Sequence, residues 1–425
     1  MRAAPPGRTL RGVDTDTLVI GAGQAGIAAS AHLRRKGVPH LVLERSRIAE
    51  RWRSERWDSL VANGPAWHDR FPDMEISGVG ANDFAPAAAM VRYFEDYAAA
   101  HAGEIREGVE VTRLAPEGGG FRAETSRGAI RSARAVVATG PFQRPVIPPV
   151  IPEGALHQIH SAAYRSPGAL PPGGVVVVGA GSSGSQIAEE LARSGRRTWL
   201  CVGAHNRPPR AYRGLDFCWW LGVLGKWEDT RAAPGREHVT IAVSGAYGGR
   251  TVDFRRLAAD GVTLAGSAER FDDGRLLFAP DLSENIALGD ADHAAVLDEA
   301  DRYAEAHGLD LPPDPGARER PPDPPCVTDP VRALDLAAEG VSTVVWATGY
   351  APDYGWLEAG RLDPRGMPVH DRGASPCPGL YFVGLPWQQR RGSAFVWGVW
   401  HDAAYVAERI WVARGYDSHL AKALQ

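Results

Sequence analysis

Two glycine-rich turns, each between a β-branched run and a helical pattern, predict an α/β chain. The expected architecture is two Rossmann-like dinucleotide-binding folds, the second inserted into the first. Three observations carry this expectation. TLVIGAGQAGIAASAHLRRKG at 17–37 is repeated as VVVVGAGSSGSQIAEELARSG at 175–195, so that Gly21, Gly23, Gly26, Leu33 and Gly37 match Gly179, Gly181, Gly184, Leu191 and Gly195 at a constant offset of 158. Two shorter echoes follow the copies, VVATG at 136–140 and VVWATG at 344–349. Two Pro-rich stretches, 141–152 and 311–330, punctuate the chain, because Pro lacks a backbone donor and fixes φ. Residues 1–160 with 335–425 are therefore expected to form one domain, and 165–335 the inserted one.

Each element of the repeat has a physical reason. Thr17–Ile20 and Val175–Val178 are the continuous apolar runs of parallel strands buried on both faces. The first Gly of each turn makes it tight, the second lets backbone approach a diphosphate, and the third lets the helix pack on the strand. Helix N-terminal amides and the helix dipole then attract the phosphates. Gln24 and Ala25 in the first turn, and Ser182 and Ser183 in the second, join the binding candidates. Small residues, Ser30 and Ala188, stand four after the third Gly of each copy.

The copies differ at the end of the next strand. HLVLE at 40–44 closes on Glu44, 18 residues after Gly26. An acid there hydrogen-bonds ribose hydroxyls and repels a 2′-phosphate, which fits FAD, with Arg45 beside it. The second copy has Val202 at that place, then His205, Arg207, Arg210 and Arg213. Guanidiniums grip phosphates bidentately, so Arg207 and Arg210 are expected to hold the 2′-phosphate of NADPH; the bland alternative is a solvated arginine loop. Helices are expected over 91–101 and 291–307.

Composition narrows the function. The 425 residues suggest two or three domains, and 47 Lys+Arg against 51 Asp+Glu leave no basic excess for nucleic acid. The four cysteines form no CxxC pair, so neither a disulfide framework, a metal site nor a redox dithiol is expected. No run of about 18 apolar residues predicts a membrane span. The N-terminal segment lacks an apolar signal core, which leads to a cytoplasmic expectation. The 49 glycines and 13 tryptophans call for a structural reason.

These motifs resemble the flavin-containing monooxygenases with two dinucleotide-binding domains (class B flavoprotein monooxygenases), over nearly the whole chain. GAGQAG at 21–26, ATG at 138–140, GAGSSG at 179–184, ATGY at 347–350 and YFVGLPWQQRRGSAFVWGVWHDA at 381–403 carry the resemblance. HSAAYR at 160–165 matches the second half of the family's interdomain fingerprint at His160 and Tyr164, while Gly154 and Leu156 replace the Phe and Gly of its first half. The resemblance implies FAD and NADPH as cofactors, and O2 and a small molecule as substrates. It implies a C4a-(hydro)peroxyflavin that passes one oxygen atom to a soft nitrogen or sulfur nucleophile.

The resemblance also implies that Asn63, in LVANGPAW, lies by the flavin's reacting edge as the catalytic residue. An amide donates and accepts there without titrating; the alternative is a turn residue ahead of Gly64-Pro65. Trp52, Thr139, Gly140, Thr348, Gly349, Tyr350, Gly384 and Trp397 complete the expected cofactor set, with Trp397 and Trp400 as aromatic walls. Residues 211–250 and 381–400 are the expected substrate wall. Tyr164 leans towards the heteroatom-oxidising branch. Baeyer–Villiger oxygenation of a ketone, an NADPH-dependent flavin reductase or dehydrogenase, and a non-enzymatic nucleotide sensor remain as alternatives. A homodimer is compatible with the sequence.

Overall fold

The computed structural model describes residues 13–230 and 241–423. Residues 1–12, part of the run examined for a signal core, and 231–240 of the expected substrate wall lie outside the described residues.

The first sheet is built on Val13–Ile20. Its strand order is Glu104–Glu107, His40–Glu44, Val13–Ile20, Gly128–Val137, Gly120–Thr125 and Val111–Glu117. The first four run parallel and the last two fold back antiparallel. Leu380–Phe382 adds in parallel to the end of Gly128–Val137, so a C-terminal segment completes a sheet begun near the N-terminus. Helix Gln24–Arg35 buries Ala25 to Leu33 and packs against the long helix Val396–Ala423.

The second sheet has five parallel strands in the order Val262–Ala265, Thr198–Cys201, Gly174–Val178, Val341–Trp346 and His157–His160. Val175, Val176 and Val177 are fully buried, each contributing roughly 1.5–3 kcal/mol of hydrophobic stabilisation. His157–His160 and Val341–Trp346 are neighbours here, whereas the boundaries expected at 160 and 335 assign both to the first fold. The second sheet draws strands from beyond both boundaries because its central strand needs a partner on the side away from Thr198–Cys201. The expected helices correspond to Ala87–His101 and Leu282–Ala306, both beginning before the sequence pattern suggests.

The ATG echoes have a steric role. Ala138 N–H bonds to the Ile20 carbonyl at 2.9 Å, and Ala347 N–H bonds to the Val178 carbonyl at 2.8 Å. A Cβ on Gly21 (φ +104°) would stand 2.7 Å from the Ala138 carbonyl oxygen, and one on Gly179 (φ +108°) 2.6 Å from that of Ala347. The third glycines are tighter still: a Cβ on Gly26 or Gly184 would lie 1.8 or 1.7 Å from the oxygen of the first glycine. Both turns thus need glycine for the same reason. Among the described residues, no helix is long and apolar enough to cross a membrane.

Candidate active site

A cavity of about 490 Å³ opens at the carboxyl edge of the first sheet. Gly21, Gly23, Gln24 and Ala25 line it from the turn, and Glu44 and Arg45 from the end of the adjoining strand. Trp52, Thr139, Gly140 and Gly384 line it too, so the structure brings these ten expected residues around one space. Gly26 stands behind the wall, where it lets the helix close on Gly21. Glu44 accepts from Ala22 N–H at 2.8 Å and from Ser46 N–H at 2.9 Å. A carboxylate has about four acceptor positions, so two remain for ribose hydroxyls.

Guanidiniums and carboxylates line the cavity together. Arg51 and Arg56 also line it, and neither was singled out from the sequence. Burial pulls the Arg51 guanidinium below its ordinary value, opposed by the Glu55 carboxylate with which it pairs. Arg56 lies over the rings of Trp52 and Phe142, at 5.8 and 5.5 Å from their centres. The signal was the dense run RSRIAERWRSER at 45–56, whose acids pair with only part of its arginines. A helix N-terminus, an acid at the strand end and half-buried guanidiniums fit an adenosine diphosphate carrying an attached ring system, as FAD does.

Other expected residues stand around this space without lining it. The Thr348 hydroxyl donates to the Val146 carbonyl at 2.5 Å. The Gly349 carbonyl accepts from His160 Nε2 at 3.0 Å, and burial lowers the His160 pKa. Tyr350 packs between His160 and Phe142, and only Phe142 reaches the cavity. The buried Tyr164 hydroxyl donates to Glu190 at 2.8 Å, and burial followed by that acid raises its pKa. Tyr164 does not line the first cavity. Cys201 and Cys218 are buried, and burial pushes the Cys201 thiol up to about 12.

The second turn repeats the geometry of the first, but its first helical residue, Ser182, is engaged. The Ile241 carbonyl accepts from Ser182 N–H at 2.8 Å and from the Ser182 hydroxyl at 2.9 Å. The 2′-phosphate expectation for Arg207 and Arg210 needs correction. Both are buried. Arg207 donates to Asp290 at 2.7 Å and lies 3.6 Å from Asp253. Arg210 pairs with Asp216 and donates to the Asn63 carbonyl at 2.5 Å. Their acids lie in elements far along the chain or at a helix N-cap, so they are internal ion pairs, neither phosphate ligands nor a solvated loop. The glycine turn fits a dinucleotide in shape, while its Ser182 amide is engaged by Ile241 and both guanidiniums are paired with carboxylates.

Asn63 stands at the junction of the two folds and does not line the first cavity. Its side-chain oxygen accepts from Gln186 Nε2 at 2.9 Å, which places it against the second fold rather than in the first cavity's wall. Trp397 belongs to an aromatic box with Trp227 and His68, at 5.7 and 5.4 Å between ring centres. Trp400 packs on His32 and donates its indole N–H to the Tyr97 hydroxyl at 3.2 Å. The box adjoins the cavity through the chain itself: Ala394 lines the cavity, and the next residue, Phe395, packs on Trp227.

His68 and Asp69 escaped the sequence reading. His68 Nδ1 donates to Asp69 at 2.8 Å, and Asp69 in turn accepts from Gly64 N–H at 2.9 Å. His68 Nε2 is buried with no partner among the described residues. The only signal was the dipeptide in AWHDRF, and a His-Asp neighbour pair is too common to stand out.

Residues 18–212 match the family model described as pyridine nucleotide-disulphide oxidoreductase. An uncharacterized CzcO-like oxidoreductase of Geobacillus kaustophilus (strain HTA426) is 32% identical over 400 residues, spanning 93% of this chain and 98% of the relative. An indole-3-pyruvate monooxygenase of Oryza sativa subsp. japonica is 33% identical over 219 residues, 49% of this chain and 53% of that protein. A flavin-containing monooxygenase from Stenotrophomonas maltophilia has a similar fold, with a TM-score of 0.64 at 19% identity, covering 94% of this chain and 98% of that one. Fold, cavity and relatives together define a flavoprotein oxidoreductase that pairs a flavin with a pyridine nucleotide. The chain belongs to the same oxidoreductase family as the CzcO-like protein of Geobacillus kaustophilus.

Proposed function

We propose that this protein binds FAD in the first cavity and, driven by a reduced nicotinamide dinucleotide, transfers one atom of O2 to a nitrogen or sulfur nucleophile of a small molecule. The observation that carries this reading is the convergence of the Gln24 helix start, Glu44, Arg45 and Trp52 on one space of dinucleotide size. The chemistry a flavin supplies when bound there is acceptance of a hydride equivalent and activation of dioxygen.

The chain's own residues bind and shield. Gly23 and Gln24 offer the first amides of their helix to a diphosphate, and Glu44 holds ribose hydroxyls. Gly384 and Ala394 close the cavity beside the Gln24 turn, where Gln24 Nε2 donates to the Ala394 carbonyl at 2.7 Å, and Trp52 lines it as well. Beyond Ala394, Trp227, Trp397 and His68 wall the adjoining space with aromatic rings. Asp69 orients the His68 ring through Nδ1, which leaves Nε2 facing that box. With Arg207 and Arg210 committed to carboxylates, a preference for NADPH over NADH has no support from those two residues.

The experiment is a turnover assay on the flavin-loaded protein. NADPH and NADH are supplied separately, with amines, thioethers and ketones, and products are read by mass spectrometry. A product carrying one added oxygen atom from an amine or thioether supports the reading. Oxygen from a ketone only would select the Baeyer–Villiger alternative. Full conversion of consumed O2 to hydrogen peroxide with every substrate would leave a flavin reductase instead.

A further inference from the structure

The two glycine turns are controls for each other. At Gln24 the helix start lines an open cavity. At its counterpart, Ser182, a carbonyl of the same chain sits where a phosphate oxygen would accept the first amide. The covering segment is held at several points. Val243 N–H donates to the Ser182 hydroxyl at 3.2 Å, and Ala242 N–H to the Asn206 carbonyl at 2.9 Å. Ile241 and Asn206 form a parallel bridge, so the segment extends along the carboxyl edge of the second sheet. Gly245 docks on the first fold: a Cβ there would lie 2.2 Å from the Ala62 carbonyl oxygen and 2.6 Å from the Phe84 ring.

Gln186 ties this segment to Asn63. It is buried, about one helical turn beyond Ser182. Its Nε2 donates to the Val243 carbonyl and to the Asn63 side-chain oxygen, both at 2.9 Å. One amide group therefore joins the cover of the second turn to the residue that Ala62 and Gly64 flank in the first fold.

We propose that Ile241–Gly245 is a strap that an incoming dinucleotide displaces from the Ser182 turn, and that Gln186 is the positioning residue through which this displacement reaches Asn63. The proposal rests on reading the second turn as the nicotinamide dinucleotide site. With the strap in place, Gln186 divides its donors between Val243 and Asn63. Once the Val243 carbonyl leaves, the amide is free to reorient with Asn63 as its remaining acceptor. Occupancy of the second turn and orientation of Asn63 then become one equilibrium. The strap also lowers apparent affinity by the fraction of molecules in which it is lifted.

The test uses the flavin-loaded full-length protein with NADP⁺ and NAD⁺, which bind without reducing the flavin. Hydrogen exchange at Ala242 and Val243 should accelerate on nucleotide addition, while the Ser182 amide stays protected as the phosphate replaces the Ile241 carbonyl. Unchanged or slower exchange across 241–245 with nucleotide bound overturns the strap, and so does failure of either nucleotide to bind in equilibrium dialysis. Val243→Pro removes the N–H that grips Ser182 and should tighten nucleotide binding about 3- to 10-fold; Val243→Ala keeps that N–H and should not. Gln186→Leu should lower both KM for the reduced dinucleotide and kcat, the pattern of a released ground-state restraint coupled to lost positioning. Lower stability with KM and kcat unmoved would reduce Gln186 to a structural role and overturn that half of the proposal. Exchange and dialysis need no turnover, so they decide the strap even where oxygen transfer fails.

Discussion

Replacing Arg207 by Ala separates the sequence expectation from the structure. A 2′-phosphate ligand at this position would make the change selective: KM for NADPH would rise, KM for NADH would not, and stability would hold. The structure sets a different outcome. The Arg207 side chain is 8% exposed and reaches Asp290, itself 3% exposed, at 2.7 Å. Breaking a buried pair from one side costs about 3–5 kcal/mol, because the surviving charge stays in a poorly solvating site. Asp290 retains Arg255 at 3.0 Å and Arg320 at 3.4 Å. Asp253 retains its two N-cap bonds, to Arg255 N–H at 2.8 Å and Arg256 N–H at 3.3 Å. These partners lower the expected cost to about 2–4 kcal/mol. The assay is urea unfolding of Arg207→Ala and Arg207→Lys beside steady-state KM for both nucleotides. The expected result is a large loss of stability in the Ala variant with equal effects on NADPH and NADH. Unchanged stability with a rise of about tenfold or more in KM for NADPH alone, a difference worth about 1.4 kcal/mol, would refute the ion-pair reasoning.

Glu44→Gln should weaken flavin retention about 10- to 100-fold, the worth of a charge-assisted hydrogen bond, measured as flavin released on dialysis; undiminished retention would remove Glu44 from the site. Gly26→Ala forces a Cβ to within 1.8 Å of the Gly21 carbonyl oxygen and should yield colourless protein, whereas the matching Gly184→Ala should keep its flavin, as absorbance spectra will show. Stability against pH should reveal two opposing groups. Burial, assisted by Arg35, lowers His32 from 6.5 to about 4, so its contribution is present above 6.5 and is lost as pH falls towards 4. Burial raises Asp402 from 3.8 to about 6, so its contribution is present below 3.8 and is lost as pH rises towards 6. Asp402→Asn should then be less stable at pH 4 than at pH 6, and His32→Gln the reverse, in urea midpoints; parallel curves for both variants and the parent would disprove the assignment.

The glycine turns were legible because their constraint is local. Gly21 and Gly26 exclude a side chain through contacts with neighbours at the turn and with one strand end, and the ATG echoes repeat with that strand end. Glu44 was legible for the same reason, one strand beyond the turn. Arg207 was misread because its partner Asp290 lies 83 positions later on another helix, a pairing no spacing rule announces. The Arg210–Asp216 pair was close in sequence, yet the intervening turn that joins them had no clear signature. Sheet membership of Val341–Trp346 depends on which neighbours its edges meet, and apolar runs do not encode that choice. The tryptophans were legible as aromatic bulk only: Trp397 packs edge-on in a box assembled from three distant segments, while Trp52 reaches the cavity from a helix of five residues.

Completion of the first sheet by Leu380–Phe382 bears on how the protein is made. The strand that Leu380–Phe382 joins ends at Val137, and roughly 240 residues must be synthesised between them, which takes about 12–50 s at ribosomal rates of about 5–20 residues per second. During that interval the inserted fold has all five of its strands well before the host sheet has its last one. The nascent chain therefore emerges with a finished interior module inside an unfinished host, and Gly384 and the helix that backs Ala25 arrive only near the end of translation. Flavin capture is accordingly a late event in biogenesis, and a chain truncated before residue 380 would retain the glycine turn yet lack the segment that closes the site around it.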